Sequence, residues 1–173
     1  MAATFTWKVD NGSGPASTGT ATDNNWKNID DNTTVYSSAP ITAGNNSFER
    51  WTYGSFSGTF NQILSGLFAH TATAFGSGLS LVGTPAGSSQ LTYTTPSTTA
   101  NSNLTTNMTT AISIGSGVAV YFGPTSANTA SKATSSTSNP TYSNYLTTQL
   151  QTTSGAAAGD TAQVTLTLQY QEN

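Results

Sequence analysis

Few side chains in this sequence are of the types that perform acid–base, nucleophilic or redox chemistry. The chain has one histidine, His70, and no cysteine, and its seven acidic residues accompany only four basic ones. Nucleophilic catalysis needs a base beside the nucleophile, and no Gly-x-Ser-x-Gly pattern marks a strand-to-helix turn. We therefore predict that His70 has a structural role and that the protein is not an enzyme.

Carboxylates could serve two other kinds of chemistry, glycosidic hydrolysis by a carboxylate pair and calcium binding by oxygen-rich loops. The acidic residues are Asp10, Asp23, Asp30, Asp31, Glu49, Asp160 and Glu172. Most of them lie in stretches rich in Asn and Gly, where Asp is typical of turns. Residues 10–12 and 30–32 offer oxygen ligands, but neither matches the twelve-residue EF-hand loop. We predict no catalytic pair, no metal and no cofactor, and a structural calcium ion stays an open alternative.

The overall charge is low. Only 6% of the 173 residues are charged, against roughly 25% in an ordinary soluble domain. The four basic residues are scattered singly, which argues against direct nucleic-acid binding. No apolar run approaches the ~20 residues of a membrane span, and the first residues lack the pattern of a signal peptide. We expect no membrane partner and synthesis in the cytoplasm without export.

The elements that must position these residues are predicted to be strands. Residues 5–9 and 164–170 alternate apolar and polar side chains, as half-buried strands do. Further strands are predicted at 35–41, 47–60, 79–82, 90–94, 111–114, 118–122 and 145–151. Segments 145–151 and 164–170 are expected to form an antiparallel hairpin, and Gly54 and Gly58 to mark a bend or bulge.

Residues 61–70 are ambiguous, because their apolar spacing suits a short helix that Gly66 weakens. About eight short strands without a convincing long helix predict an all-β protein. We expect one antiparallel β-sandwich domain over residues 1–173, jelly-roll-like, with long polar loops.

Two loops are long and rich in small polar residues, at about 11–34 and 125–141. Structureless loops of this length are uncommon unless they serve a purpose. A neutral surface of hydroxyls, amides and methyl groups loses little when it is desolvated against another protein. We predict that these loops are contact arms, with Trp26, Ile29 and Tyr142 as apolar interface anchors.

Aromatic residues support a different function, carbohydrate or host-receptor binding. Rings that could stack on sugars belong to Trp7, Trp26, Trp51, Tyr142 and Tyr145. The competing interpretation places Trp7 and Trp51 in the core and uses Trp26 to hold the long loop. We favour the core interpretation and keep a sugar-binding module as the alternative from another class.

Four segments of the chain resemble small virion structural proteins of tailed bacteriophages, of the capsid cement or decoration type. The matching segments are residues 3–12 (ATFTWKVDNG), 44–51 (GNNSFERW), 58–63 (GTFNQI) and 165–172 (TLTLQYQE). The resemblance implies a β-sandwich that joins the capsid surface as an oligomer, often a homotrimer, with the major capsid protein as its partner. It implies no catalytic residues.

Cement function agrees with the neutral composition. A protein held by contact area requires no reactive groups, and ~1,600 Å² of interface suffices for specific association. A tail, neck or baseplate component is the alternative within the virion.

Overall fold

Antiparallel strands make up the regular structure of this chain. A computed structural model describes residues 2–14, 19–20, 24–71, 75–84, 91–108, 118–124, 132–159 and 163–173. Its strands are β1 (Ala3–Asp10), β2 (Gly19–Thr20), β3 (Arg50–Gly58), β4 (Ile63–His70), β5 (Leu79–Gly83), β6 (Thr106–Asn107), β7 (Val118–Val120), β8 (Phe122–Gly123), β9 (Thr141–Ser143), β10 (Leu146–Thr152) and β11 (Leu166–Glu172). The described residues include one 3-10 turn, Tyr36–Ser38, and no α-helix, which confirms the all-β prediction.

The strands form two antiparallel sheets. The larger sheet has eight strands, six of them in the order β2-β1-β3-β10-β5-β6, with β9 paired to β3 and β8 paired to β9. The smaller sheet has the order β11-β4-β7. The longest pairing joins β1 to β3 in unbroken register, from Ala3 opposite Gly58 to Asp10 opposite Trp51.

A hydrophobic core lies between the two sheets, as in a β-sandwich. Phe56 of the larger sheet packs in one cluster with Phe68 and Leu168 of the smaller sheet. Phe56 also contacts Tyr170 edge-on, with the ring centroids 4.7 Å apart. The alternation predicted for β11 is therefore real, since Leu168 and Tyr170 both contribute to this core.

Strand β3 is buried on both faces, which explains its imperfect alternation. Its second face carries Trp51 and Tyr53, which cluster with Tyr145, and Tyr93 from the segment 91–108 packs against them. That segment is held by the buried amide of Gln149, whose Nε2 donates to the carbonyls of residues 47, 97 and 99. An uncharged side chain thus joins an irregular segment to the larger sheet.

The predicted C-terminal hairpin is wrong, although both of its strands exist. β10 pairs with β3 and β5 in the larger sheet, whereas β11 pairs with β4 in the smaller one. The connection between them therefore crosses from one sheet to the other. Alternation shows which face of a strand is buried. It does not show to which sheet the strand belongs, because strands of both sheets turn their buried face towards the same core.

Three other local predictions differ from the structure. Residues 35–41 contain the 3-10 turn Tyr36–Ser38 and no strand, with the Ala39 amide donating to the Tyr36 carbonyl. Residues 91–94 are irregular, and Leu91 and Tyr93 pack against the Trp51 cluster. Gly54 produces no bulge in the β1–β3 pair; a Cβ there would lie 2.8 Å from both Leu168 Cδ2 and Phe5 Cε2.

Within residues 61–70 the structure has strand β4, Ile63–His70, and not the short helix that their spacing also allowed. The strand predicted at 111–114 lies outside the described residues, as do Gln90 and much of the loop 125–141. Among the described residues no helix is long and apolar enough to cross a membrane.

Candidate functional site

The most exposed apolar side chains of the described chain lie close together in the sequence. They are Ile29, Val35 and Tyr36, which are 41%, 54% and 46% exposed. All three belong to residues 24–43, a stretch that precedes β3 and that we call the arm. Three large exposed apolar side chains within residues 29–36 make this stretch the candidate for a surface that contacts a partner.

A buried lysine holds the arm in shape. Lys27 has no exposed surface, and its Nζ donates to the Asp31 carboxylate (3.1 Å), the Asp31 carbonyl (3.1 Å) and the Thr34 carbonyl (2.7 Å). The Thr34 amide and hydroxyl both donate to the Asp31 carboxylate. Burial raises the pKa of Asp31, but the hydrogen bonds from Thr34 and Lys27 outweigh it and bring the pKa to about 2.

The arm is also joined to the larger sheet. Arg50, at the start of β3, is buried and donates from its guanidinium to the Asp31 carbonyl at 2.9 Å. The side-chain amide Nδ2 of Asn32 donates to the Val9 carbonyl of β1 at 3.3 Å. Arg50 and Asn32 therefore connect this short turn to β3 and β1, while Lys27 joins residues within the turn.

The two oxygen-rich loops considered for calcium do meet. The Gly12 amide donates to the Asp30 carboxylate (2.7 Å), and the Asn32 amide group donates to Asn11 Oδ1 (3.1 Å). No group of three or more acidic or histidine side chains that could hold a metal occurs among the described residues. In this cluster Lys27 and Arg50 supply the positive charge beside the carboxylates.

The predicted interface anchors occupy three different environments. Ile29 is exposed on the arm. Trp26 is half-buried, packs against the cluster of Leu81 and Leu150, and donates from Nε1 to Thr148 Oγ1 at 3.0 Å. Tyr142, on β9, is half-buried with its ring centroid 6.2 Å from that of Tyr53. The structure thus brings Trp26 and Ile29 onto one arm and leaves Tyr142 on another element.

The described end of the second predicted loop is joined to both sheets. Residue 133 bridges to Phe122 of β8, and Ser136 bridges to Ile63 of β4. Burial lowers the pKa of Lys132 to about 8. From residue 132 onward this loop therefore lies against the sandwich, and residues 125–131 lie outside the described part of the chain.

Two other carboxylates are buried in hydrogen-bonded positions. Glu49 accepts from Trp51 Nε1 (3.1 Å) and Asn101 Nδ2 (2.7 Å), and burial raises its pKa. Asp10 accepts from the Tyr145 hydroxyl. These contacts identify structural roles for Trp51 and Tyr145, two of the aromatic residues considered for sugar binding.

His70 ends β4 and is almost fully buried. Its Nδ1 lies 3.2 Å from the Thr71 carbonyl oxygen, and its Nε2 has no hydrogen-bond partner in the described part of the chain. On the paired strand, Leu166 lies opposite His70.

A cavity of about 1020 Å³ opens beside the arm, between the two sheets. Leu150 and Leu79 of the larger sheet line one side, Leu166 of the smaller sheet lines another, and residues 156–159 complete the wall. Trp7, Trp26 and Tyr36 contribute aromatic surface. None of the described lining residues carries a charge, and sequence patterns could not place these distant segments around one space.

Fold and site together define a class, an antiparallel β-sandwich with an exposed apolar arm and a cavity whose described lining residues are uncharged. Comparison with protein-family models, with curated proteins and with solved structures found no match to this chain.

Proposed function

We propose that this chain is a non-enzymatic structural protein of a tailed-bacteriophage virion, and specifically a cement protein that bridges capsomers on the capsid surface. The observation that carries the proposal is the arm, which exposes Ile29, Val35 and Tyr36 above a base held by Lys27 and Arg50. A rigid base lowers the entropy lost on binding. Exposed apolar groups suit burial against another protein, and Lys27 and Arg50 offset the charge of the adjacent carboxylates Asp30 and Asp31.

The resemblance of four sequence segments to capsid decoration proteins supports the same proposal. With it we retain a jelly-roll-like strand arrangement, a homotrimer and the major capsid protein as partner. Many copies, each bound through a large contact area, stabilise a shell through repeated contacts. Binding of one site raises the effective concentration for binding at the neighbouring sites.

Particle stability tests the cement role directly. Virions assembled without this protein are expected to release their genome at a lower temperature than complete virions, measured by the heat-induced accessibility of the DNA to a dye. Equal heat stability with and without the protein would exclude the cement role. Copy number separates the alternatives: hundreds of copies per particle favour the shell, and a small multiple of six favours a tail, neck or baseplate position.

Substitutions on the arm test the contact surface. Ile29→Asn and Val35→Asn change exposed side chains, so the isolated fold should keep its stability while occupancy on shells falls at least tenfold. Thr94→Asn, at an exposed position outside the arm, is the matched control and should keep full occupancy. Equal occupancy of all three variants would contradict the assignment of the arm as the shell contact.

A further inference from the structure

The cavity beside the arm has the chemistry of a binding site for an uncharged ligand. Its volume of about 1020 Å³ is at the upper end of the range for ligand pockets. Its walls combine apolar side chains, such as Leu79 and Val164, with aromatic rings and with amides and hydroxyls. The absence of charge among the described lining residues disfavours ionic ligands, because nothing in those walls would compensate their desolvation.

Several polar groups on this cavity make no hydrogen bond within the described chain. They are the indole Nε1 of Trp7, the amide nitrogen of Asn24, the hydroxyl of Tyr36 and the hydroxyl of Ser37. Asn24 is oriented by its other atom, since its Oδ1 accepts from the Thr52 hydroxyl at 3.1 Å. Donors and hydroxyls that the fold does not use are therefore gathered on one surface.

The aromatic rings of the cavity are rigidly supported. Trp7 stacks on Phe68 with ring centroids 6.2 Å apart and planes 22° apart, and it contacts Phe5 edge-on. Trp26 is fixed by its hydrogen bond to Thr148. A supported ring loses little entropy when a ligand packs on it, and its apolar face complements the C–H face of a sugar ring.

We propose that this cavity binds a neutral oligosaccharide. Sugar rings have apolar faces and a rim of hydroxyls, which matches aromatic walls interspersed with neutral donors and acceptors. Trp7 Nε1 and Asn24 Nδ2 donate to sugar hydroxyls, and the Tyr36 hydroxyl either donates or accepts. Tyr36 belongs both to the arm and to this cavity, but binding to the cavity is measured on the isolated chain, so its failure is distinguishable from failure of the shell contact.

The test is binding of the purified protein to a panel of neutral and acidic oligosaccharides, followed by calorimetric titration of the tightest neutral binder. Tyr36→Phe removes one exposed hydroxyl and should raise the Kd about fivefold, in line with the loss of one hydrogen bond. Trp7→Phe removes the indole N–H and should raise the Kd by a similar factor. Tyr36→Ala should raise it more than tenfold.

Tyr142→Phe is the matched control, because it deletes a tyrosine hydroxyl on β9 that does not line the cavity. It should leave the Kd unchanged, and thermal unfolding should show all variants to be folded. The proposal would be overturned if the protein bound no neutral oligosaccharide or bound only acidic ones. Equal Kd values for Tyr36→Ala and Tyr142→Phe would also overturn it. If the protein bound no glycan but self-associated, and Tyr36→Ala abolished the self-association, the cavity would be a contact site for a second copy of the chain and the proposal would be wrong.

Discussion

At the scale of single residues, more than half of the charged residues of this protein lie around one partly buried place. Two of its four basic residues, Lys27 and Arg50, and four of its seven acids lie around the base of the arm. Burial raises the pKa of Asp30 and Glu49, whereas hydrogen bonds lower that of Asp31. Charge here serves architecture, since buried ions are stable only when paired and hydrogen-bonded.

Lys27 is expected to be essential to this cluster. Lys27→Met keeps the apolar stem but removes the donor to two carbonyls and a carboxylate. Because buried acceptors without partners are costly, the free energy of unfolding should fall by about 3 kcal/mol. Urea unfolding measures this change. Lys8→Met is the control, since Lys8 makes only a 3.5 Å exposed contact with Thr20, and a similar loss in both variants would contradict the role of Lys27.

Asp31 should make stability depend on pH in the acid range. Its pKa of about 2 in the folded chain lies below the usual 3.8, so its contribution is present above pH 3.8 and is lost as pH falls towards 2. Asp31→Asn should flatten this part of the urea-midpoint profile. Glu49→Gln is the comparison. The raised pKa of Glu49 makes the free energy of unfolding fall as pH rises above 4.5, which is the opposite of the effect of Asp31. An unchanged acid limb in Asp31→Asn would contradict the pairing of Asp31.

At the scale of elements, close packing between sheets constrains positions that look unremarkable in the sequence. Gly54 lies opposite Trp7 in the β1–β3 register and faces the core, where Leu168 and Phe5 approach it. Its amide donates to the Ser143 hydroxyl at 2.8 Å, beside the place where the partner of β3 changes from β10 to β9. The glycine thus allows the two sheets to approach each other. From the sequence pattern alone, the same glycine was interpreted as a bend or bulge.

Gly54→Ala is therefore expected to overpack the core. A Cβ at 2.8 Å from two side-chain carbons forces them to shift, and overpacking of this kind costs about 1–3 kcal/mol. Thermal and urea unfolding measure the loss. Gly14→Ala, where an added Cβ has no neighbour within 4 Å among the described residues, should change stability by less than about 0.5 kcal/mol. Equal effects at the two positions would contradict this packing.

Trp26 and Ile29 lie on the same arm but should respond differently to truncation. Trp26→Ala removes packing on the Leu81 cluster and the hydrogen bond to Thr148, so we expect about 2 kcal/mol of destabilisation, less than for a fully buried tryptophan. Ile29→Ala changes an exposed side chain and should cost less than about 0.5 kcal/mol. Urea unfolding distinguishes them. A larger loss for Ile29→Ala would show that the arm packs differently.

At the scale of the whole molecule, low charge determines how the protein meets its surroundings. With 7 acidic and 4 basic residues, and a majority of them in one partly buried cluster, the remaining surface interacts through area, hydroxyls and amides. Salt screens exposed charges and leaves apolar contacts intact. Binding to a partner through the arm should thus differ from association driven by charge.

Occupancy on purified shells is expected to change less than about twofold between 0.1 M and 1 M sodium chloride, because the Debye length shortens while the neutral contacts remain. Quantitative gel densitometry of sedimented particles measures occupancy. A charge-dominated reference interaction, such as cation exchange of a basic protein, is the control for screening. Steep loss of this protein at high salt would contradict a neutral contact surface.

The sequence predicted the features that depend on local pattern. Period-two alternation identified β1 and β11, the short runs 79–82 and 145–151 were predicted as the strands that became β5 and β10, and the missing helix signals predicted an all-β chain. Trp26 and Ile29 emerged as candidates because they are isolated apolar residues in a polar loop. In each case the side chains near one position in the chain carry the information.

Only the tertiary structure decided which strands pair and which loops meet. β10 and β11 belong to different sheets, because alternation records burial and not the neighbour responsible for it. The neutral cavity and the Lys27 cluster unite segments far apart in the chain, and their geometry depends on how two sheets pack. Long-range packing of this kind has no local signature in the sequence. Composition therefore determined which side chains form the surfaces, and the tertiary structure determined where those surfaces lie.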